Sequence, residues 1–206
     1  MSVSMMRRED LLLHAKLLPP RPRRRVLPRP ALTQKLRDAL DYRLTLVQAC
    51  TGYGKTTALA ALETGDPLLF WYSAEEADAD PQRFLSYLIA AFRARLPEMS
   101  DLPLAVLTDR GSAGTYEAWV QTLDALINAL IEALPGPALL IVDDYHFVAS
   151  SPEINSLTER LITFLPADLH VILATRHPLN SAGLARWRTH GDVLEIGDTI
   201  LAFPPG

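Results

Sequence analysis

The sequence predicts a three-layer α/β domain, in which helices cover both faces of a parallel five-stranded sheet. Two observations favour this class. Short apolar runs of the kind found in buried parallel strands alternate with helical patterns along the chain. A glycine-bearing loop then directly follows the first of these runs. With 206 residues, 49% of them hydrophobic and 21% charged, the chain is long enough to bury one such core.

The predicted elements follow one another in a regular order. A short amphipathic helix over residues 31–40 precedes the first strand, and a second helix runs from the glycine-bearing loop to Leu62. The five predicted strands are 44–49, 68–73, 138–142, 170–175 and 192–196. Helices over 81–96 and 114–134 lie between the second and third strands with a predicted loop at 97–113, and another helix opens at Ser151 and Pro152.

Charge and proline divide the chain into an N-terminal arm and a domain. Residues 1–43 hold eleven Lys or Arg against four Asp or Glu, whereas the remainder holds nine against twenty. Five prolines fall between Pro19 and Pro30, which excludes a helix there. We therefore divide the chain into a basic arm (1–30), a domain (31–203) and a short end (204–206). The arm either contacts a polyanion such as nucleic acid or is simply solvated and paired with the acidic domain.

Several classes of site and location are excluded by composition. The single cysteine, Cys50, excludes a disulfide framework and any multi-cysteine zinc site. The histidines His146, His170 and His177 have no metal-like spacing with it, so no zinc is assigned. Nowhere do 18 uninterrupted apolar residues occur, and the N-terminus lacks a signal-peptide core. The sequence thus predicts a cytoplasmic protein with no membrane partner.

The segment ACTGYGKTT, residues 49–57, predicts a phosphate-binding loop. It matches the pattern G-x-x-x-x-G-K-S/T with Ala49 in the first position, and it lies between a strand and a helix as this motif requires. Gly52 and Gly54 let backbone N–H groups turn inward around an anion. Lys55 is predicted to reach the β- and γ-phosphates, and Thr56 to bind Mg²⁺. The predicted nucleotide-binding residues are Ala49, Cys50, Thr51, Gly52, Tyr53, Gly54, Lys55, Thr56 and Thr57.

Two further strand ends carry side chains suited to phosphate chemistry. The run ALLIVDD places Asp143 to hold Mg²⁺ through water and Asp144 to orient the attacking water. Alternatively, Asp144 is an N-cap or turn residue. After the fourth strand, Thr175 and Arg176 are placed to sense a γ-phosphate, with a surface salt bridge as the alternative for Arg176. The predicted catalytic residues are Asp144, Lys55 and Arg176.

The order of several segments resembles one family of regulators. These segments are KLLPPRPRRRVLPRPAL, LVQACTGYGKTTALAAL, FWYSAEEADADPQRFLSYLIAA, LLIVDDYHFV, LPADLHVILATRHPL and ARWRTHGDVLEI. Together they resemble the nucleotide-binding domain of the MalT-like STAND regulators (signal-transduction ATPases, often with LuxR-type output domains), over roughly residues 16–203. The combination of YGKTT with DDYH is fairly specific to this group among P-loop proteins.

The resemblance implies properties that the motifs alone do not. It implies a P-loop ATPase sheet of order 5-1-4-3-2, a resting ADP state, and an ATP state in which the full-length protein self-associates. It also implies adenine contacts from Val26, Leu27 and Arg29. Family members continue into winged-helix, helical-repeat and DNA-binding parts, so we expect this chain to be the ATPase domain alone, with DNA contacted only through those missing parts.

The function that the sequence predicts is an ATP-binding switch domain with slow Mg²⁺-dependent ATP hydrolysis, from a bacterial transcriptional regulator. A non-hydrolysing module that binds ATP or ADP to control self-assembly is the principal alternative. Direct nucleic-acid binding by the Arg21–Arg29 segment and phosphoryl transfer to a small molecule are two further possibilities.

Overall fold

A computed structural model describes residues 12–21, 29–62, 67–110, 114–179 and 181–202. The predictions for most of the basic arm, including Val26 and Leu27, and for residues 203–206 lie outside this part of the chain. Within it, no helix is long and apolar enough to cross a bilayer.

Five parallel strands form one sheet in the order β2-β3-β4-β1-β5. This order is the predicted one read from the opposite edge. The strands are β1 (Leu44–Gln48), β2 (Leu68–Ser73), β3 (Ala138–Asp143), β4 (Leu169–Thr175) and β5 (Val193–Ile196). In the register of the central strands, Leu46 lies opposite Leu173, and Leu140 lies opposite Val171. Every residue of β3 is buried, as the apolar run ALLIV predicts.

Helices cover both faces of the sheet. They are α1 (Pro30–Arg37), α2 (Lys55–Ala60), α3 (Pro81–Arg93), α4 (Leu102–Asp109), α5 (Tyr116–Ala133), α6 (Pro152–Thr163), α7 (Ala182–His190) and α8 (Asp198–Leu201). Short 3-10 turns form at His14–Leu17, Asp38–Asp41, Glu76–Ala79 and Tyr145–Phe147. The predicted helix start at Ser151 is confirmed, since its side chain accepts a bond from the Ile154 N–H at 3.3 Å, and Asp80 caps α3 in the same way by accepting from the Arg83 N–H at 2.8 Å.

The core consists of two apolar layers, one on each face of the sheet. On one face, α3, α5, α6 and α7 contribute buried side chains such as Leu85, Leu126 and Leu157. On the other face, α1, α2 and α8 contribute Leu36, Leu59 and other buried side chains. The alternation of side chains along each strand therefore supplies both layers, which gives the predicted three-layer architecture.

Several predicted element boundaries are wrong, among them the end of the helix predicted over 81–96, which lies at Arg93. The predicted loop at 97–113 contains α4, whose Pro103 lies in the first turn, where a missing N–H costs nothing. The side chain of Leu107 is fully buried and anchors α4 to the core. The predicted helix over 31–40 ends at Arg37 and tightens into a 3-10 turn, and α2 ends at Ala60 rather than at Leu62.

A buried ion pair holds the segment before α1 against the sheet. The Lys16 ammonium donates to the Asp78 carboxylate, and these side chains are 7% and 0% exposed. The same ammonium lies 4.0 Å from the centre of the Tyr87 ring. Arg83 Nε donates to the other oxygen of Asp78 at 2.8 Å. Both ions are thus removed from water and depend on each other.

We predict that Lys16→Ala lowers the free energy of unfolding by about 3 kcal/mol, because it leaves a buried carboxylate with one cationic partner fewer. Urea denaturation measures this loss. Arg37→Ala, which removes an exposed cation from α1, is the matched control and should change stability by less than about 0.5 kcal/mol. Equal losses for the two variants would contradict the proposed role of the ion pair.

Candidate functional site

The predicted site residues come together at one edge of the sheet. Strands β1, β4 and β3 are neighbours, and their carboxyl ends lie side by side. Lys55 is the first residue of α2, directly after the loop that follows β1; the loop after β3 contains Asp144, and the loop after β4 contains Arg176. Open α/β sheets bind ligands at this edge.

The loop between β1 and α2 has the backbone conformation that its glycines predict. Gly52 and Gly54 have φ angles of +94° and +74°, a region that side chains with a Cβ rarely adopt. At the start of the loop, the N–H of Ala49 donates to the carbonyl of Thr175 at 3.3 Å. Ala49 is 2% exposed, which explains why a small residue suffices at this position. Cys50, Thr51 and Thr57 are exposed on this loop and the first turn of α2.

Lys55 is folded back against the loop. Its ammonium donates to the carbonyl oxygens of Ala49 at 2.5 Å and Cys50 at 3.2 Å. Burial lowers the pKa of Lys55, and the nearby guanidinium of Arg176 lowers it further, whereas the carboxylate of Asp144 opposes the shift. A cation held only by neutral carbonyls is readily drawn toward an anion placed in the loop.

Asp143 and Thr56 form the contact expected of a divalent-cation site. The Asp143 carboxylate is hydrogen-bonded to the side chain of Thr56 and accepts the backbone N–H of Asp144 at 3.0 Å. Asp143 is 2% exposed, and its burial raises the pKa of the carboxyl above its usual value. A carboxylate and a hydroxyl are the oxygen donors that suit Mg²⁺ in phosphate-binding sites.

Asp144 adopts an unusual backbone conformation. Its φ angle of +54° is the one positive φ at a non-glycine residue in the described part of the chain. Its backbone begins the 3-10 turn Tyr145–Phe147, as the turn alternative predicts, yet its carboxylate caps no N–H of that turn. The side chain instead faces Arg176, with Asp144 Oδ1 3.8 Å from Arg176 Nη2. The turn alternative thus describes the backbone of Asp144, while its role in orienting water stays a prediction.

Arg176 and Thr175 separate into different roles. The Arg176 guanidinium lies 5.7 Å from the centre of the Phe147 ring and forms an ion pair with the partly exposed Asp144, as the salt-bridge alternative predicts, and its contact with a γ-phosphate stays a prediction. The Thr175 hydroxyl is instead engaged in its own loop. It donates to the His177 carbonyl at 3.0 Å and accepts the His177 N–H at 3.3 Å.

His146 is a member of the site that sequence reasoning missed. Its side chain is 8% exposed, and its Nδ1 lies 3.8 Å from Asp144 Oδ1. From the sequence, this histidine is considered only as a zinc ligand, and its spacing excludes that role. Its position in VDDYH could have indicated that it belongs to the site, because the turn after Asp143 brings the third residue back toward the end of β3.

Arg29 joins the loop to α8. Its Nη1 donates to the Tyr53 carbonyl at 3.2 Å, and its Nη2 donates to the carbonyl of Leu201. Beside this contact, a cavity of about 380 Å³ opens between the loop and α8. Its lining residues are Thr51, Gly52, Tyr53, Leu201 and Ala202. Burial lowers the pKa of Arg29.

The burial of Asp143 predicts a pH-dependent cost. Because the folded protein raises the pKa of this carboxyl, the native state holds the proton more strongly than the unfolded chain does. The group therefore destabilises the fold as pH rises from the unfolded pKa through the folded pKa. We predict that Asp143→Asn raises the free energy of unfolding at pH 7.5 and gives a smaller gain at pH 4.

Urea denaturation of both proteins at the two pH values measures this difference. Asp168→Asn, which replaces an exposed carboxylate before β4, is the matched control and should show no gain at pH 7.5. A loss of stability in Asp143→Asn at pH 7.5 would show that the carboxylate is not a net cost.

Comparison with known proteins identifies relatives of the chain. No protein-family model matches it. It is 33% identical over 193 residues to the HTH-type transcriptional regulator MalT of Cronobacter sakazakii, covering 94% of this chain and 21% of the relative. The MalT regulator of Yersinia pestis is 34% identical over 204 residues, with the same two shares covered. The chain thus spans about a fifth of the length of these curated relatives.

A solved structure with a similar fold is that of a Walker-type ATPase of Pyrococcus abyssi. It has a TM-score of 0.50 and 18% sequence identity, and the match covers 86% of this chain and 56% of that one. The chain is therefore a homologue of the MalT transcriptional regulators over about a fifth of their length, and its fold is that of the P-loop ATPases.

Proposed function

We propose that this chain is an ATP-binding switch domain that hydrolyses ATP slowly with Mg²⁺, from a bacterial transcriptional regulator. The observation that carries the proposal is the meeting of Lys55, Asp143 and Asp144 with Arg176 at the carboxyl ends of three neighbouring strands. This set supplies a phosphate cradle, a cation site, a carboxylate for water and a second cation, which are the parts that phosphoryl transfer to water requires.

The phosphates bind through the loop and Lys55. In this proposal, backbone N–H groups of residues 50–54 surround the phosphates, and the ammonium of Lys55 exchanges the carbonyls of Ala49 and Cys50 for phosphate oxygens. The exchange is favourable because an ammonium bonds more strongly to an anion than to a neutral carbonyl. Thr57, exposed one residue beyond Thr56 in α2, is placed to support the α-phosphate.

Thr56 and Asp143 would hold Mg²⁺, with Asp143 acting through water. Their direct contact and their oxygen donors fit the ion. When bound, Mg²⁺ neutralises charge on the β- and γ-phosphates. The buried carboxylate of Asp143 also fixes the position of Thr56, because the two side chains are bonded to each other.

Asp144 and Arg176 act on the γ-phosphate and the attacking water. Arg176 faces Asp144 at 3.8 Å, and a γ-phosphate with its greater charge draws the guanidinium away to form a bidentate contact. The carboxylate of Asp144, 34% exposed, then orients the water and accepts its proton. Lys55 and Arg176 stabilise the charge that develops on the transferred group.

The base of the nucleotide is assigned to the cavity beside Arg29. Its walls come from the phosphate loop and α8, and it opens directly beside Gly52. Arg29, for which the resemblance implies an adenine contact, bonds the Tyr53 and Leu201 carbonyls of two lining residues and so braces the cavity. This assignment gives ATP and ADP a common binding mode and leaves the γ-phosphate as the difference between them.

The regulatory role rests on the relatives. Because the matched regulators bear the name of HTH-type transcription factors, we propose that nucleotide state controls self-association of the whole protein and that other parts contact DNA. Such a protein acts in the bacterial cytoplasm, where the chromosome lies.

Nucleotide binding is tested by calorimetric titration of the chain with MgATP and MgADP. Lys55→Ala should weaken both affinities by about 10- to 100-fold, because each nucleotide loses a charged hydrogen bond to its phosphates. Arg176→Ala is the matched cation control and should weaken MgATP alone, since ADP has no γ-phosphate. Unchanged affinity in Lys55→Ala would contradict the phosphate-loop assignment.

Hydrolysis is tested by phosphate release from Asp144→Asn. Turnover should fall by about 100-fold or more, while MgATP affinity remains within about twofold, because the amide binds water without accepting its proton. The fold should be preserved, since asparagine adopts the left-handed backbone of residue 144 at least as easily as aspartate. A wild type that binds MgATP without releasing phosphate would favour the non-hydrolysing module instead.

A further inference from the structure

The imidazole of His146 is buried without a hydrogen-bond partner. Both of its ring nitrogens are shielded from solvent, and neither is bonded to any group in the described part of the chain. Its side chain is 8% exposed. Buried polar atoms of folded proteins are almost always hydrogen-bonded, so two unsatisfied nitrogens on one ring point to a partner that joins in another state of the site.

The ring is held at a fixed place beside the candidate catalytic carboxylate. The centre of the Phe147 ring lies 4.3 Å from the imidazole centre, and His177 meets it edge-on at 6.2 Å. His146 Nδ1 lies 3.8 Å from Asp144 Oδ1, and Arg176 Nη2 lies at the same distance from that oxygen. A separation of 3.8 Å is beyond hydrogen-bonding range. Two potential donors therefore lie at equal distance from one carboxylate oxygen, Asp144 Oδ1.

The two donors differ in how freely their side chains can move. Arg176 is 37% exposed and its long side chain can turn, whereas the short side chain of His146 is 8% exposed and lies against the rings of Phe147 and His177. When Arg176 turns to a γ-phosphate, Asp144 loses its cationic neighbour. The imidazole is then the remaining donor near Oδ1.

We propose that His146 is a positioning residue for ATP hydrolysis: its Nδ1–H bonds to Asp144 Oδ1 once Arg176 has engaged the γ-phosphate. This proposal rests on the proposed function. The bond fixes the rotation of the carboxylate and leaves Oδ2 directed at the attacking water. His146 exchanges no proton with the water and touches no substrate atom.

A fixed carboxylate matters at this position because aspartate is short. Asp144 must hold a water in line with the γ-phosphate, and a small error in that placement costs a large factor in rate. The left-handed backbone of Asp144 sets the direction of its side chain, but the rotation of the carboxylate is free unless a donor fixes it. His146 supplies that donor from two residues further along the same loop.

The experiment compares His146→Asn with His146→Leu in the 206-residue chain. The amide N–H of asparagine occupies the place of the imidazole Nδ1–H, whereas leucine keeps most of the volume and removes the donor. We expect His146→Leu to lower kcat by about 10-fold or more with KM and MgATP affinity within about twofold, and His146→Asn to retain most of kcat. In an Asp144→Asn background, His146→Leu should cause no further loss.

Four outcomes would overturn the positioning role. These are an unchanged kcat in His146→Leu, a loss of MgATP affinity equal to the loss of kcat, an equal loss of kcat in the Asp144→Asn background, and a loss in His146→Asn as large as in His146→Leu. If His146→Leu fails to fold, His146→Asn and His146→Gln decide. The Gln amide reaches the place of Nε2 instead, so equal turnover in the two would overturn the proposal.

The proposed function fails in a distinguishable way. If the wild type binds MgATP but releases no phosphate, the proposed hydrolysis and the positioning role of His146 are both contradicted. If the wild type hydrolyses ATP, and turnover is lost in Asp144→Asn but unchanged in His146→Leu, only the role of His146 is contradicted.

Discussion

The buried carboxylate of Asp143 is the group on which the geometry of the site depends. One of its bonds reaches the Thr56 side chain at the start of α2, and another accepts the N–H of Asp144. The first bond ties the phosphate loop to the end of β3. The second bond is made by the N–H of Asp144, whose backbone is left-handed and whose side chain lies 3.8 Å from Arg176. Because burial raises the pKa of this carboxyl, the arrangement is kept at a cost to stability, as is common at functional sites.

The sequence predicts most of the fold because its signals are local. Buried strands appear as apolar runs, and the capping residues Asp80 and Ser151 mark the starts of their helices. Helix α4 was missed for the same reason, since Pro103 looks like a breaker until tertiary contacts show that it occupies the first turn and that Leu107 is buried. The ends of α1 and α2 depend on how each helix meets the next segment, which no local pattern contains.

The sequence predicts which residues form the candidate site but not which of their side chains contact one another. The pattern of residues 49–57 and the acidic pair after β3 name Lys55, Asp143 and Asp144, because each phosphate-binding role demands one kind of side chain. The neighbours of Asp144 could not be named. Its contacts with Arg176 and His146 exist only because β4 lies beside β3 and the Tyr145–Phe147 turn folds back. Separations of 3.8 Å between side chains are properties of packing, and a sequence pattern does not carry them.

Arg29 gives the nucleotide loop a direct connection to the far end of the described chain. Its guanidinium bonds the Tyr53 carbonyl on one side and carbonyls of α8 on the other, so the first helix, the loop and the last helix share one cation. A carbonyl–guanidinium bond is directional. A change in the backbone at Tyr53 therefore changes the geometry of the hydrogen bonds from Arg29 to α8. Arg176, the proposed γ-phosphate contact, directly follows the neighbouring strand β4, whose last residue Thr175 accepts the Ala49 N–H of the same loop. The proposed γ-phosphate contact and the arginine that bonds α8 are thus joined through a single short loop, an arrangement that suits the proposed nucleotide-controlled switch.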